Sequence, residues 1–278
     1  MSMVDYHQIT STASTGRQYD LVFVSFWTEP ALVFTLYYHL DLLKSNGHFA
    51  LHDNRHDIID YIPGVKAIES KDLPSYLQET DVSTIMHRLI DEAFKDVEKA
   101  DFILCNTIEE LELEAILALQ EKQPFYAIGP LPSGFTKGIV PTSLRPESNC
   151  TQWLKPKPCG SVLCVSFGSF LTSRKRDIDE IAHGLALSKV NFIWVLRHDA
   201  VSYEESYVLP IGFEEEVEDR GLVVKWTNQF EIEVISHPSI GGFLTHCGWN
   251  SISQSIWCGV PILCFPLTTN QITKKIAS

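Results

Sequence analysis

The sequence predicts an α/β fold in two domains joined by a linker. Three observations carry this reading. Apolar runs of strand length alternate with amphipathic runs of helical length over residues 20–130. A proline-rich stretch then interrupts the pattern, and from Ser161 the alternation resumes. Strand, helix, strand in repeated order is the pattern of a parallel sheet covered by helices.

In chain order, residues 1–19 are polar and rich in Ser and Thr, without the apolar centre of a signal peptide, and read as a disordered N-terminus. Asp20 to Phe26 reads as a buried strand because the run is almost wholly apolar. Thr28-Glu29-Pro30 opens a helix, with Thr28 as a cap and Pro30 in the first turn. Its continuation from Ala31 to Leu43 has a broad apolar face, but His39 and Asp41 interrupt it and it is too short to cross a bilayer. Asn46 to Asp81 is irregular, punctuated by Gly47, Pro63-Gly64 and Pro74. On a helix, His52 and His56 would share a face and could bind a metal; the competing reading is that they are solvated loop histidines beside His48.

Val82 to Ala100 is an amphipathic helix, with Ile85, Met86, Leu89, Ile90, Ala93, Phe94 and Val97 at helical spacing. Phe102 to Cys105 is a strand. Leu111 to Gln120 is a helix whose acidic start suits the dipole, and Phe125 to Gly129 is a strand. Residues 20–130 thus form a first domain. Residues 131–158 form the linker, anchored at its far end by Trp153. Residues 159–278 form the second domain. Its strands are Ser161 to Ser166, Phe192 to Leu196, Gly221 to Trp226, the run ending Gly242 to Thr245, and Pro261 to Phe265. Ile178, Ile181, Ala182, Leu185 and Ala186 mark a helix, and Ser251 to Cys258 a second one closed by Gly259.

The net charge of −13 argues against nucleic acid or an anionic membrane as partner. The seven cysteines show no paired spacing, which reads as reduced thiols in the cytoplasm rather than a disulfide framework or a metal site.

One stretch, Trp226 to Gln271, carries the chemistry. The turn from His246 to Ser251 joins a strand to a helix, so free N–H groups and the positive end of the helix dipole favour an anion there. Asn250 or Ser251 can cap the helix, and Gly248 lets the backbone approach a ligand closely. His246 is either a donor to a phosphate or a core histidine bonded to a backbone carbonyl. Trp226 is either core or a flat platform for a base, worth about 1–3 kcal/mol in single-strand binders. Asn270 and Gln271 follow the last strand, where strand ends gather ligands. Gly168 gives a tight turn after the first strand of the second domain, and Ser169 offers a hydroxyl near the same crevice.

This box resembles the signature of the family 1 UDP-dependent glycosyltransferases of plants. Trp226, Gln229, His246, Trp249, Asn250, Ser251 and Gln271 match its pattern. The resemblance implies two Rossmann-like domains of the GT-B type, the first incomplete. It implies transfer of a sugar from a UDP-sugar to a small-molecule hydroxyl, with no cofactor and no metal. By the same resemblance Trp226 stacks on uracil, Gln229 reaches the uridine, His246 and the Asn250-Ser251 pair hold the diphosphate, and Gln271 holds the sugar; the turn carrying Ser169 touches the nucleotide. Four positions depart from the pattern. Asn228 replaces a proline, the run from Gln229 to His237 is about two residues longer, and Gln254 and Asn270 replace carboxylates. A neutral amide accepts hydroxyl hydrogen bonds more weakly than a carboxylate, so each carboxylate loss weakens donor binding about tenfold. The family's catalytic His and Asp fall before the matched region, so no catalytic residue is assigned and a catalytically inactive nucleotide-binding fragment is the alternative. Trp27 and Tyr37 fall near the family's acceptor pocket, or are core.

Overall fold

A computed structural model describes residues 21–50, 57–131, 150–168, 175–196, 209–224, 232–267, 271 and 273. The chain divides into two compact units: residues 1–131 with 268–278, and residues 132–267. Gln271 and Thr273 thus group with the first unit, where Thr273 Oγ1 donates to the Asp72 carbonyl at 2.6 Å. The sequence reading had placed this segment in the second domain.

The first unit is built on a parallel sheet of three strands, β1 (Val24–Trp27), β4 (Phe102–Cys105) and β5 (Phe125–Ala127), in the order β1-β4-β5. A small antiparallel pair, β2 (Ile58–Ile59) and β3 (Ile68–Glu69), lies between the first two in sequence. The helices are α1 (Ala31–Tyr38), α2 (Leu40–Ser45), α3 (Ser75–Gln78), α4 (Ile85–Val97) and α5 (Glu109–Gln120). The apolar run after β1 is two helices, because His39 leaves helical geometry at φ −105°, ψ 36°. Strand β1 is buried on one face only: Trp27 points inward, while Val24 and Phe26 are exposed, so its continuous apolar run does not mean burial on both sides.

Trp27 packs edge-on against Phe34, Tyr37 and Phe94. Both Trp27 and Tyr37 belong to the first unit's core. The amino end of α1 is capped from far along the chain. Pro30 is the N-cap and can offer no side-chain bond. Glu112 Oε2 and Oε1 instead accept from the N–H groups of Ala31 and Leu32, each at 2.8 Å, and Thr107 Oγ1 also donates to Glu112. Burial pushes the Glu112 carboxyl above its ordinary value, opposed by these three donors. Glu112 reaches this place because α5 kinks there, at φ −127°, ψ 29°. The expected Thr28 cap is therefore replaced by a carboxylate 81 residues away.

The second unit holds five parallel strands, β6 (Val162–Ser166), β7 (Asn191–Val195), β8 (Gly221–Val224), β9 (Ile240–Thr245) and β10 (Ile262–Cys264), in the order β10-β9-β6-β7-β8. Its helices are α6 (Cys150–Leu154), α7 (Lys175–Ser188), α8 (Phe213–Val217), α9 (Ile232–Ile235) and α10 (Trp249–Cys258). The far end of the expected linker is thus helical. Leu154 and Cys150 are buried against Val162 and Ile240, and Ser239 Oγ donates to the carbonyls of Leu154 and Lys157. On α7, Ile178, Ile181, Ala182, Leu185 and Ala186 form the buried face, as their spacing requires. Among the described residues no helix is long and apolar enough to cross a membrane.

Candidate functional site

The strand order of the second unit fixes where a site can form. The chain runs β6, β7, β8 in one direction, then returns to place β9 on the other side of β6. Crossovers diverge at that point, and a crevice opens beyond the carboxyl ends of β6 and β9. Ser166 pairs with Thr245 across this junction, so Gly168 and His246 leave adjacent strands side by side.

Three residues make the turn after β9. Cys247 is fully buried and adopts a left-handed backbone at φ 64°. That conformation is uncommon for a residue with a side chain, and it sets the direction in which His246 and Gly248 face. The imidazole of His246 lies between two glycines. A Cβ on Gly168 would come within 2.6 Å of its Cε1 and 2.7 Å of its Nε2, and a Cβ on Gly248 would overlap Nε2. Gly168 also sits at φ +77°, but Gly248 has φ −63° and ψ 136°, which any residue adopts. Gly248 is therefore needed for the room it leaves to the ring. His246 Nδ1 lies 3.3 Å from the hydroxyl of Thr245, which is fully buried. The ring itself is half-buried.

Helix α10 begins two residues earlier than its sequence suggested. Gly248 is the N-cap, so Asn250 and Ser251 stand in the first turn and do not cap it. The first helical bond runs from the Ile252 N–H to the Gly248 carbonyl at 3.1 Å. The N–H groups of Asn250 and Ser251 thus have no acceptor within the helix, and they lie at the positive end of its dipole. The Asn250 side chain is exposed and Ser251 half-buried. Trp249 is buried with Cys247 and Ile252 against Ile262 and Cys264, so it braces the turn from behind. Gly259 closes the helix at φ 66°, ψ 28°.

Gln254, on the same face as Asn250 one turn on, is buried. Gln271 is also buried and belongs to the first unit. Ser169, Trp226, Gln229 and Asn270 lie outside the described residues, as do His52 and His56. Among the described residues no three His, Cys, Asp or Glu side chains gather to hold a metal ion. Sequence reasoning missed the part played by Gly168 and Thr245 toward His246. Small residues two places after the histidine and at the end of the neighbouring strand were the available signal.

A protein-family model described as "UDP-glucoronosyl and UDP-glucosyl transferase" matches residues 131–277, just over half of the chain. UDP-glycosyltransferase 86A1 of Arabidopsis thaliana is 59% identical over 262 residues, covering 93% of this chain and 53% of the relative. UDP-glycosyltransferase 86A2 of the same plant is 59% identical over 261 residues, covering 94% and 54%. The structure of Phytolacca americana UGT2 complexed with UDP-2fluoro-glucose and pterostilbene superposes with a TM-score of 0.79 at 33% identity, covering 96% of this chain and 57% of that one. The chain spans about half the length of the curated relatives it matches. Its parallel sheets, its crevice between β6 and β9 and these likenesses agree, and the chain belongs to the UDP-glucoronosyl and UDP-glucosyl transferase family.

Proposed function

We propose that the second unit binds the nucleotide of a UDP-sugar at the junction of β9 and α10, as part of a transferase that moves the sugar onto a small-molecule hydroxyl. One observation carries the reading: an imidazole held between Gly168 and Gly248, the N-cap of α10, at the point where the strand order reverses. Thr245 Oγ1 lies 3.3 Å from Nδ1; in the tautomer in which that hydroxyl donates, His246 carries its proton on Nε2 and offers it to a phosphate oxygen. The N–H groups of Asn250 and Ser251 serve the same diphosphate. By resemblance, Trp226 stacks on uracil, Gln229 and Ser169 meet the uridine, and Gln271 holds the sugar. The net charge of −13 makes such local donors necessary, since the protein as a whole repels a diphosphate.

In the transfer, the acceptor oxygen forms a bond to the anomeric carbon as the bond to UDP breaks. UDP leaves with the electron pair, and the acceptor proton passes to a base. The seven cysteines, none of them in a disulfide, support a reducing, cytoplasmic setting.

Calorimetric titration with UDP tests the site. His246→Ala is expected to weaken binding by about 10–100-fold, the range for a lost hydrogen bond to a charged group. Trp226→Ala is expected to weaken it about tenfold. Unchanged UDP affinity in both variants overturns the reading. Incubation with UDP-glucose and a panel of phenols tests transfer: glycoside supports it, whereas UDP binding without product in any reaction rejects the transferase part and leaves a nucleotide-binding protein.

A further inference from the structure

The two sheets differ in how they are covered. In the second unit helices lie on both faces: α7 and α8 pack into one core, α6 and α9 into the other. In the first unit every helix, α1 to α5, contributes to a single core, on the face that carries Trp27, Ile103, Cys105 and Phe125. Parallel sheets are ordinarily buried on both sides.

The opposite face of the first sheet is bare. Register sets Val24 beside Phe102, and Phe26, Leu104 and Tyr126 in one row across the three strands. The rings of Phe102 and Tyr126 meet edge to face with centres 6.3 Å apart, so they share this side. Phe26 is 48% exposed and Tyr126 52%, and Val24 and Ile128 are exposed with them. Among the described residues none of these six belongs to a buried cluster, and none carries a charge.

We infer that this face is where the chain meets a second copy of itself, sheet against sheet about a two-fold axis. Charge and area both favour that occupant. With a net charge of −13, two copies repel each other over most of their surface, and a face without charge is one they can share. With about 150–250 Å² for a whole aromatic side chain, the exposed part of the face comes to roughly 500 Å² per copy. The pair would then bury about 1,000 Å², the lower bound for a specific interface. Pleated faces of this kind pack about 10 Å apart with their side chains interdigitated. The same patch serves both partners, so the contact closes at two copies and does not propagate. The inference does not depend on the nucleotide reading.

Sedimentation velocity on the full chain over a concentration series tests it. A reversible monomer–dimer equilibrium is expected, with a dissociation constant on the order of 1–100 μM, as befits an interface of minimal area. Phe26→Lys and Tyr126→Lys, made separately, each bury an unpaired charge in both copies and are expected to weaken the dimer about 100-fold or more. Both side chains face water in the single chain, so the urea midpoint of each variant, measured below the dimerising concentration, is expected to match the parent's. Tyr126 lies on β5, the strand farthest from β1, so pairing along the β1 edge would not feel its substitution. Leu187→Lys, at a 78% exposed apolar position of the second unit, is expected to dimerise like the parent. A dimer that survives Tyr126→Lys, or one weakened equally by Leu187→Lys, overturns the inference. So does a series of species growing beyond two copies. A chain that stays monomeric at every concentration also overturns it, and leaves the face to a different polypeptide.

Discussion

Alanine in place of Gly248 is the sharpest probe of the nucleotide site. The backbone there, φ −63° and ψ 136°, accepts alanine without strain. Replacing glycine in such a position raises stability by about 0.4–1 kcal/mol through the unfolded chain. Against that, the new methyl overlaps His246 Nε2 and lies 2.8 Å from Cε1, where ordinary contact begins near 3.4 Å. The ring has to yield, and it cannot slide toward Gly168, whose backbone fills the other side. It must leave its rotamer, at about 0.5–1.5 kcal/mol, or turn away from the crevice. The fold is thus expected to survive with its melting temperature nearly unchanged. UDP affinity is expected to fall by about 10–100-fold, as for loss of one hydrogen bond to a charged group. Calorimetry on Gly248→Ala, His246→Ala and the double variant separates the causes. In the His246→Ala background the methyl meets no ring, so it is expected to cost nothing further. An equal loss in both backgrounds refutes the steric reasoning, and so does undiminished affinity in Gly248→Ala.

Four other outcomes follow from the packing. Glu112→Ala removes the acceptor for two N–H groups and the Thr107 hydroxyl, and is expected to lower unfolding free energy by about 1–3 kcal/mol in a urea titration. Because burial raises the Glu112 carboxyl above its ordinary 4.5, its contribution is fully present below that value and is lost as pH rises through the raised one; Glu112→Gln is expected to flatten that part of the stability profile. Among the described residues the buried Ser255 hydroxyl has no hydrogen-bond partner, so Ser255→Ala is expected to raise stability by about 1 kcal/mol, read as a higher urea midpoint. Trp249→Ala empties the small core behind the turn and is expected to cost about 3–5 kcal/mol by the same titration, with Cys247 becoming reactive to a thiol reagent.

What could be read from the sequence was what local pattern controls. The face of α7 and the span of β4 follow from apolar spacing, and both agree with the structure. Gly259 closes α10 because its left-handed geometry favours glycine. The errors lie where a distant partner decides. Nothing near Pro30 announces that Glu112 will cap α1, and the kink that delivers the carboxylate has no local signal. Linker-like composition hid α6, which is helical because Ser239 and the adjoining core hold it. At the site, the turn from a strand into a helix between Thr245 and Ser251 was legible. The use of Gly248 was not, since a glycine looks the same whether it makes way for a ligand or for a neighbouring ring. Trp27 and Tyr37 could be read two ways because a large aromatic side chain serves a core or a pocket equally well; packing placed both in the core.

The one-sided burial of β1 has a practical corollary. Among the described strands β1 has a neighbour on one side only, and its four residues carry neither charge nor proline. Among the described residues no strand pairs with its other edge, and an edge of this kind, with Val24 and Phe26 exposed beside it, is one on which an extended polypeptide can add. A lysine at position 26 is the smallest change that would blunt such an edge.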